Sequence, residues 1–72
     1  MNKKAFDIAK LKNDDTNKDI AEYLGISEQS VSNKINETGT EFKQGEIAKL
    51  AKKWNLSADE IAEIFFGQEV SK

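Results

Sequence analysis

Apolar residues recur at helical rather than alternating spacing along the chain, and this pattern is the first guide to its fold. The first such stretch predicts a helix from about Lys3 to Leu11, which the polar residues 13–15 end. The apolar contacts expected from this helix come from Ala5, Phe6, Ile8, Ala9 and Leu11.

Two further helices are predicted close together in the sequence. Thr16, with Asp19 three residues later, is typical of a capping box that begins a second helix. Gly25 supplies the left-handed residue that closes this helix. After Ile26, Ser27 caps a third helix that reaches about Asn36.

The second half of the chain predicts two more helices. A loop around Gly39 leads to a fourth helix from about Lys43 to Trp54. Ser57 begins a fifth helix that continues through Phe66, and residues 68–72 are expected to form a frayed tail. We therefore predict an all-α fold of five helices, with all 72 residues in a single domain.

The composition excludes several classes of site. The chain has no cysteine and no histidine, which rules out disulfides and any metal site built on those ligands. We expect no cofactor, no metal and no small-molecule substrate. No apolar leader and no stretch long enough to span a bilayer are evident, so we expect a cytoplasmic protein that does not contact a membrane.

The segment from Asn17 to Asn36 has the spacing of a helix-turn-helix. Ala21 is small enough for two helices to cross closely, and Gly25, four residues later, allows the chain to reverse. The helix-turn-helix predicted over residues 16–36 leaves the outer face of its second helix, which is polar and nearly uncharged, able to enter a major groove. The apolar positions that lock the two helices together are Ile20, Leu24, Ile26, Val31 and Ile35.

This segment, together with residues 47–61, resembles the Cro/CI-type helix-turn-helix family, which contains temperate-phage repressors and Cro proteins. The resemblance implies a five-helix, lambda-repressor-like DNA-binding domain. The small size is similar to that of a Cro-like protein or a phage modulator of repression. The implied function is a transcriptional regulator of a phage-type genetic switch in the bacterial host cell, with double-stranded operator DNA as its partner and helix 27–36 in the major groove.

Individual roles also follow from the resemblance. Asn17 would contact a phosphate and brace the third helix, and Ser27, which begins that helix, is also expected to contact DNA. Four residues of the third helix would face base edges, where glutamine and asparagine can pair with adenine: Glu28, Gln29, Ser32 and Asn33. Four others lie where the family's chain passes the DNA backbone: Lys34, Asn36, Thr38 and Lys43.

The charge of the chain keeps a second function open. Eleven lysines and no arginine stand against thirteen acidic residues, for a net charge of −2, whereas DNA-binding domains are commonly basic. The alternative is an antirepressor, in which the same fold binds a partner phage repressor through protein–protein contacts and inactivates or modifies it.

Ile64, Phe65 and Phe66 are consecutive apolar residues at the end of the fifth helix. At about 100° per residue they span roughly 200° of the helix, more than one small core can take. We expect Ile61 and Phe65 to enter the core together and either Ile64 or Phe66 to remain outside. Because exposed apolar patches often mark interfaces, residues 64–66 are a candidate contact for a homodimer or another partner.

An enzyme is not expected. The paired acids at 14–15 and 59–60 lie in a loop and at a helix start, where solubility and the helix dipole explain them. The chain has no glycine-rich phosphate loop and no nucleophile motif.

Overall fold

The computed structural model describes residues 1–67, and five α-helices account for most of them. No strand occurs among these residues, so the predicted all-α fold of five helices is confirmed. The first and last residues of each helix lie within about one residue of the predicted positions. The expected tail at 68–72 lies outside the described residues. None of the described helices is both long and apolar enough to cross a membrane. The helices are α1 (Lys3–Lys12), α2 (Asn17–Leu24), α3 (Glu28–Ile35), α4 (Gln44–Lys53) and α5 (Ala58–Phe65).

Side-chain caps explain where α2 and α5 begin. The Thr16 hydroxyl accepts a hydrogen bond from the Asp19 N–H at 3.2 Å, and the Asp19 carboxylate accepts from the Thr16 N–H at 2.9 Å. Ser57 and Glu60 make the same reciprocal pair before α5, at 3.1 and 2.8 Å. Both predicted capping boxes are therefore present, and each satisfies backbone donors that the first helical turn leaves unpaired.

Phe6 of α1 lies at the centre of the core and is fully buried. Its ring stacks on Phe42 at 5.5 Å between centroids and meets Trp54 and Phe65 edge-on at 5.4 and 6.0 Å. Trp54 is 5% exposed and belongs to the core. The other buried apolar residues are Ala9, Ile20, Ala21, Leu24, Val31, Ile35, Leu50 and Ile64.

The expectation that Ile8 and Leu11 pack into the core is wrong. Ile8 is 51% exposed and Leu11 is 77% exposed. The reason is the rotation of α1, which turns Phe6 and Ala9 inward. With 3.6 residues per turn, positions 8 and 11 fall on the opposite side of the helix from Phe6.

A polar clasp ties the loop between α1 and α2 to the end of α4. The Asp15 carboxylate accepts a hydrogen bond from the Trp54 indole Nε1 at 2.6 Å, across 39 residues of sequence. The Lys53 ammonium lies 3.1 Å from the same carboxylate and 5.4 Å from the centre of the Tyr23 ring. Asp15 therefore has a structural role in joining two parts of the fold, and this role accounts for an acidic residue at position 15 better than solubility does.

We predict that Asp15→Ala lowers the free energy of unfolding by about 2 kcal/mol, because the buried indole N–H loses its acceptor. Asp15→Asn keeps an acceptor oxygen and removes only the charge, so its loss should be well under half as large. Urea titrations followed by the fluorescence of Trp54 measure both. Equal losses in the two variants would show that the ion pair with Lys53, and not the indole hydrogen bond, is the stabilising contact.

Candidate nucleic-acid interface

The helices α2 and α3 are joined by a connection of three residues, 25–27, and make the most extensive helix–helix contact among the described residues. Gly25 has a left-handed backbone with φ of 74°, and the N–H groups of Gly25 and Ile26 both donate to the Ala21 carbonyl, at 2.8 and 3.0 Å. Ala21 is buried at this crossing. The close turn therefore has the geometry that the alanine and glycine spacing predicts.

The two faces of α3 differ in the way that its sequence suggests. Val31 and Ile35 are buried against the rest of the fold. Glu28 and Gln29 are exposed, and Ser32 and Asn33 are half-buried. These four residues are the ones expected to face base edges, and none of them belongs to the core.

Two amides on the outer face of α3 are linked to each other. The Gln29 Nε2 group donates to the Asn33 Oδ1 atom at 3.0 Å, across one helical turn. A hydrogen bond of this kind on a helix surface is worth about 0.2–0.5 kcal/mol, so it favours this arrangement without fixing it. The outer face of α3 therefore presents two amides close enough to act together.

The remaining predicted contact residues surround α3, and several have structural partners. Asn17 begins α2 and accepts a hydrogen bond from the Lys10 ammonium at 2.8 Å. Ser27 caps α3 by accepting from the Ser30 N–H at 3.0 Å. Asn36 donates from Nδ2 to the Ser32 carbonyl at 3.0 Å. Each of these three side chains therefore has a structural contact at a helix end or between two helices.

Thr38 and Lys43 are exposed in the segment between α3 and α4. The Thr38 N–H donates to the Asn33 carbonyl at 2.8 Å, which keeps this segment against the end of α3. Lys43 is the N-cap of α4, and its own N–H donates to the Glu46 carboxylate at 2.9 Å. A lysine side chain cannot accept a hydrogen bond, so only the glutamate half of a capping box exists at this helix start.

Lys34 does not lie on the surface where a DNA backbone would pass, which corrects the expectation for this residue. Its side chain is buried, with the whole residue 6% exposed. The ammonium lies 3.1 Å from the Glu46 carboxylate and donates to the Glu41 carbonyl at 3.3 Å. Lys34 follows Val31 by three positions, so it shares the inward face of α3.

Glu46 is a site residue that sequence reasoning missed. Burial by itself would raise the pKa of its carboxyl, but the Lys43 N–H and the Lys34 ammonium stabilise the charged form and hold that pKa below its ordinary value. One carboxylate therefore caps α4 and fixes the end of α3. Its position three residues after the N-cap residue of α4 is the signal that could have found it, as at Asp19 and Glu60.

Three acidic residues are exposed around α3: Glu28, Glu37 and Glu41. The Glu37 carboxylate is paired with the Met1 ammonium at 3.0 Å. With Lys34 buried, Lys43 is the one exposed cation among the ten residues expected to contact DNA. Attraction to phosphates is consequently weak at this surface, and any affinity for DNA must depend on hydrogen bonds and shape.

The three apolar residues at the end of α5 do not share one surface. Ile64 and Phe65 are buried in the core, whereas Phe66 is 58% exposed. The prediction that Ile64 or Phe66 stays outside is confirmed for Phe66, but a common interface formed by residues 64–66 is wrong. Ile61, expected in the core, is only partly buried and packs against its edge.

The described residues contain no cluster of acidic, histidine or cysteine side chains that could hold a metal ion. The chain matches the family described as "Protein of unknown function (DUF739)" over residues 4–68. It belongs to the DUF739 family. The matched region contains α2 to α5 complete and all ten predicted contact residues. No curated protein and no solved structure matches the chain.

For this DUF739 protein we predict that Lys34→Met lowers the free energy of unfolding by about 3 kcal/mol, since it leaves the Glu46 carboxylate without its buried partner. Adding Glu46→Gln should restore more than half of that loss, because glutamine keeps the cap on the Lys43 N–H without a charge. Thermal unfolding of the single and double variants measures this. No recovery in the double variant would mean that the loss does not come from the ion pair but from the hydrogen bond to the Glu41 carbonyl or from packing.

A pH dependence follows from the lowered pKa of Glu46. A carboxyl whose pKa is lower in the folded state stabilises the fold above its unfolded pKa and ceases to do so as pH falls through its folded pKa. The difference in unfolding free energy between the wild type and Glu46→Gln should therefore be constant above pH 5 and shrink as pH falls below the ordinary value of 4.5. Asp19 and Glu60 titrate in both proteins and cancel. If the difference in unfolding free energy between the two proteins did not change with pH, the lowered pKa of Glu46 would be contradicted.

Proposed function

We propose that this protein is a sequence-specific DNA-binding transcriptional regulator that inserts α3 into the major groove of an operator. The observation that carries the proposal is the hydrogen-bonded pair of Gln29 and Asn33 on the outer, non-core face of a helix that follows a three-residue turn. A major groove about 12 Å wide accepts an α-helix, and amide side chains can pair bidentately with adenine.

The surroundings of α3 suit a secondary role in positioning. Asn17, Thr38 and Lys43 flank the helix and offer amide, hydroxyl and ammonium donors for phosphates. Such contacts fix the register of a protein on DNA without reading its sequence. On this proposal the whole chain is one Cro/CI-type domain, with its helix-turn-helix at residues 16–36, and it acts in a phage-type switch in the cytoplasm of a bacterial host.

A specific observation also favours a second candidate function. Lys34 is buried in an ion pair with Glu46, whereas Glu28 and Glu41 remain exposed around α3, together with Glu37, which pairs with the Met1 ammonium. An acidic surface of this kind suits a basic, DNA-reading surface of another protein. The second candidate is therefore an antirepressor that binds a phage repressor and blocks its contact with DNA.

Selection of binding sites from a random pool of duplex DNA, at low and at physiological salt, tests the first function. We predict enrichment of a short motif that contains adenine. Asn33→Ala and Gln29→Ala should each abolish the enrichment, since each removes one member of the amide pair while leaving the core intact. Each bidentate base contact is worth about 1–3 kcal/mol of discrimination.

Two lysine variants provide a matched control for this selection. Lys43→Gln and Lys52→Gln remove the same charge from exposed positions of the α4 region, but only Lys43 lies beside α3. Lys43→Gln should weaken binding to all sequences and reduce the slope of log affinity against log salt by about 0.9, whereas Lys52→Gln should change neither. No enrichment at either salt concentration would reject the first function in favour of the antirepressor.

A further inference from the structure

The amides of Gln29 and Asn33 keep hydrogen-bonding groups of both kinds after they pair with each other. The Gln29 Nε2 group donates to the Asn33 Oδ1 atom at 3.0 Å. A side-chain amide has two N–H donors and an oxygen with two lone pairs, so the contact uses one donor and one lone pair. The pair therefore still offers N–H donors and oxygen acceptors to a ligand. This remains true whichever of the two amides donates within the pair.

Adenine is the base whose edge has the matching groups. In the major groove it presents the N7 acceptor beside the N6–H donor, whereas guanine presents two acceptors there. An oxygen of the amide pair can accept from N6–H while an N–H group of the pair donates to N7. Gln29 can make both bonds, Asn33 can make both, or each can make one. The N6–H donor of adenine is used in all three arrangements.

The outer face of α3 has no apolar side chain beside the amide pair. The two apolar residues of α3, Val31 and Ile35, are buried on its other face. The neighbours of the pair on the outer face are Glu28 and Ser32, which are acidic and polar. Proteins that read a methyl group in the major groove, such as that of thymine, do so with apolar contacts. A methyl group added to a base here would meet polar groups and separate them from water without replacing their hydrogen bonds.

We propose that methylation of adenine at N6 prevents this protein from binding its operator, so that α3 distinguishes unmethylated from methylated DNA. The inference rests on the proposed function, because it concerns the base contacts of the same helix. In duplex DNA one hydrogen of the adenine N6 group pairs with thymine, and a methyl group takes the place of the other, which faces the major groove. The methylated base keeps its pairing but no longer donates to the amide pair, and an oxygen of that pair loses its partner.

The charges around α3 make the protein more dependent on this base contact. Lys34 is buried, and Lys43 is the one exposed cation among the residues expected to contact DNA. A protein with many phosphate contacts keeps much of its affinity when a base contact is lost, because attraction to phosphates does not depend on sequence. This protein has little attraction of that kind at α3. The loss of one base contact should therefore be enough to release it from the site.

Fluorescence anisotropy of the full chain with labelled duplexes tests the proposal. The duplexes carry the motif obtained by site selection, either unmodified or with N6-methyladenine at each adenine of the motif in turn. We predict that methylation of at least one of these adenines raises the dissociation constant about 10- to 100-fold, which corresponds to the loss of one bidentate contact. N6-methyladenine in the flanking sequence should leave the dissociation constant unchanged. This control accounts for any effect of the methyl group on the duplex itself.

A second base analogue and two protein variants assign the effect to the amide pair. At the sensitive position, 7-deazaadenine keeps N6–H but lacks N7, so it should also weaken binding. The double variant Gln29→Ala with Asn33→Ala should bind the methylated and unmethylated duplexes equally at low salt, where sequence-independent binding is measurable. Lys52→Gln changes an exposed residue of α4 and is the matched control. It should retain the full effect of methylation.

The outcomes separate this inference from the function on which it rests. If no motif is enriched from the random pool, both are rejected. If a motif is enriched but contains no adenine, or if methylation of none of its adenines raises the dissociation constant, sequence-specific binding stands and the inference is overturned. An effect of methylation that persists in the double variant would also overturn it, because the amide pair would not be its source.

Discussion

The burial of Phe6 is the constraint on which the arrangement of the five helices depends. In a chain of 72 residues the core is small, and one ring occupies its centre. Phe6 contacts Phe42, two residues before α4, Trp54, the residue that follows α4, and Phe65, the last residue of α5. These three contacts join the first helix to the second half of the chain. The α2–α3 pair then packs on this aromatic centre through Ile20, Leu24 and Val31.

The Lys34–Glu46 pair has a different role, because it connects the stability of the fold to the character of its surface. Removing two charges from water is costly, and the pair is tolerated because Glu46 also accepts from a backbone N–H and Lys34 also donates to a backbone carbonyl. The same arrangement takes a cation away from the outer surface. The end of α3 is thereby held in place, and the exposed part of the helix remains polar with a slight negative charge.

Local sequence patterns predict the helices well because the signals at their ends are short-range. The Thr16–Asp19 and Ser57–Glu60 boxes and the left-handed turn at Gly25 each depend on residues at most four positions apart. The orientation of a helix is harder to predict, since it depends on distant contacts. Leu11 fits an apolar stripe in sequence, yet the pairing of α1 with α5 turns it outward.

The candidate site shows the same division between local and distant information. The outward position of Gln29 and Asn33 follows from their spacing relative to Val31 and Ile35, and it is read correctly from sequence. The buried position of the Lys34 side chain depends on Glu46, twelve positions later, and on the carbonyl of Glu41. Its place beside Ile35 and three after Val31 indicates an inward side chain, whereas the resemblance to Cro/CI-type proteins implies an exposed one. The physical position of a residue is here a better guide than the resemblance.

The clasp between Asp15 and Trp54 has a consequence for how the domain opens. It joins two points 39 residues apart, and the chain between them contains all of α2, α3 and α4. That intervening segment is closed into a ring at its base. Separating α2 from α3 therefore requires the ring either to open at the clasp or to distort while its ends stay fixed. We expect the three helices to exchange their amide hydrogens as one cooperative unit, with the single tryptophan at its junction.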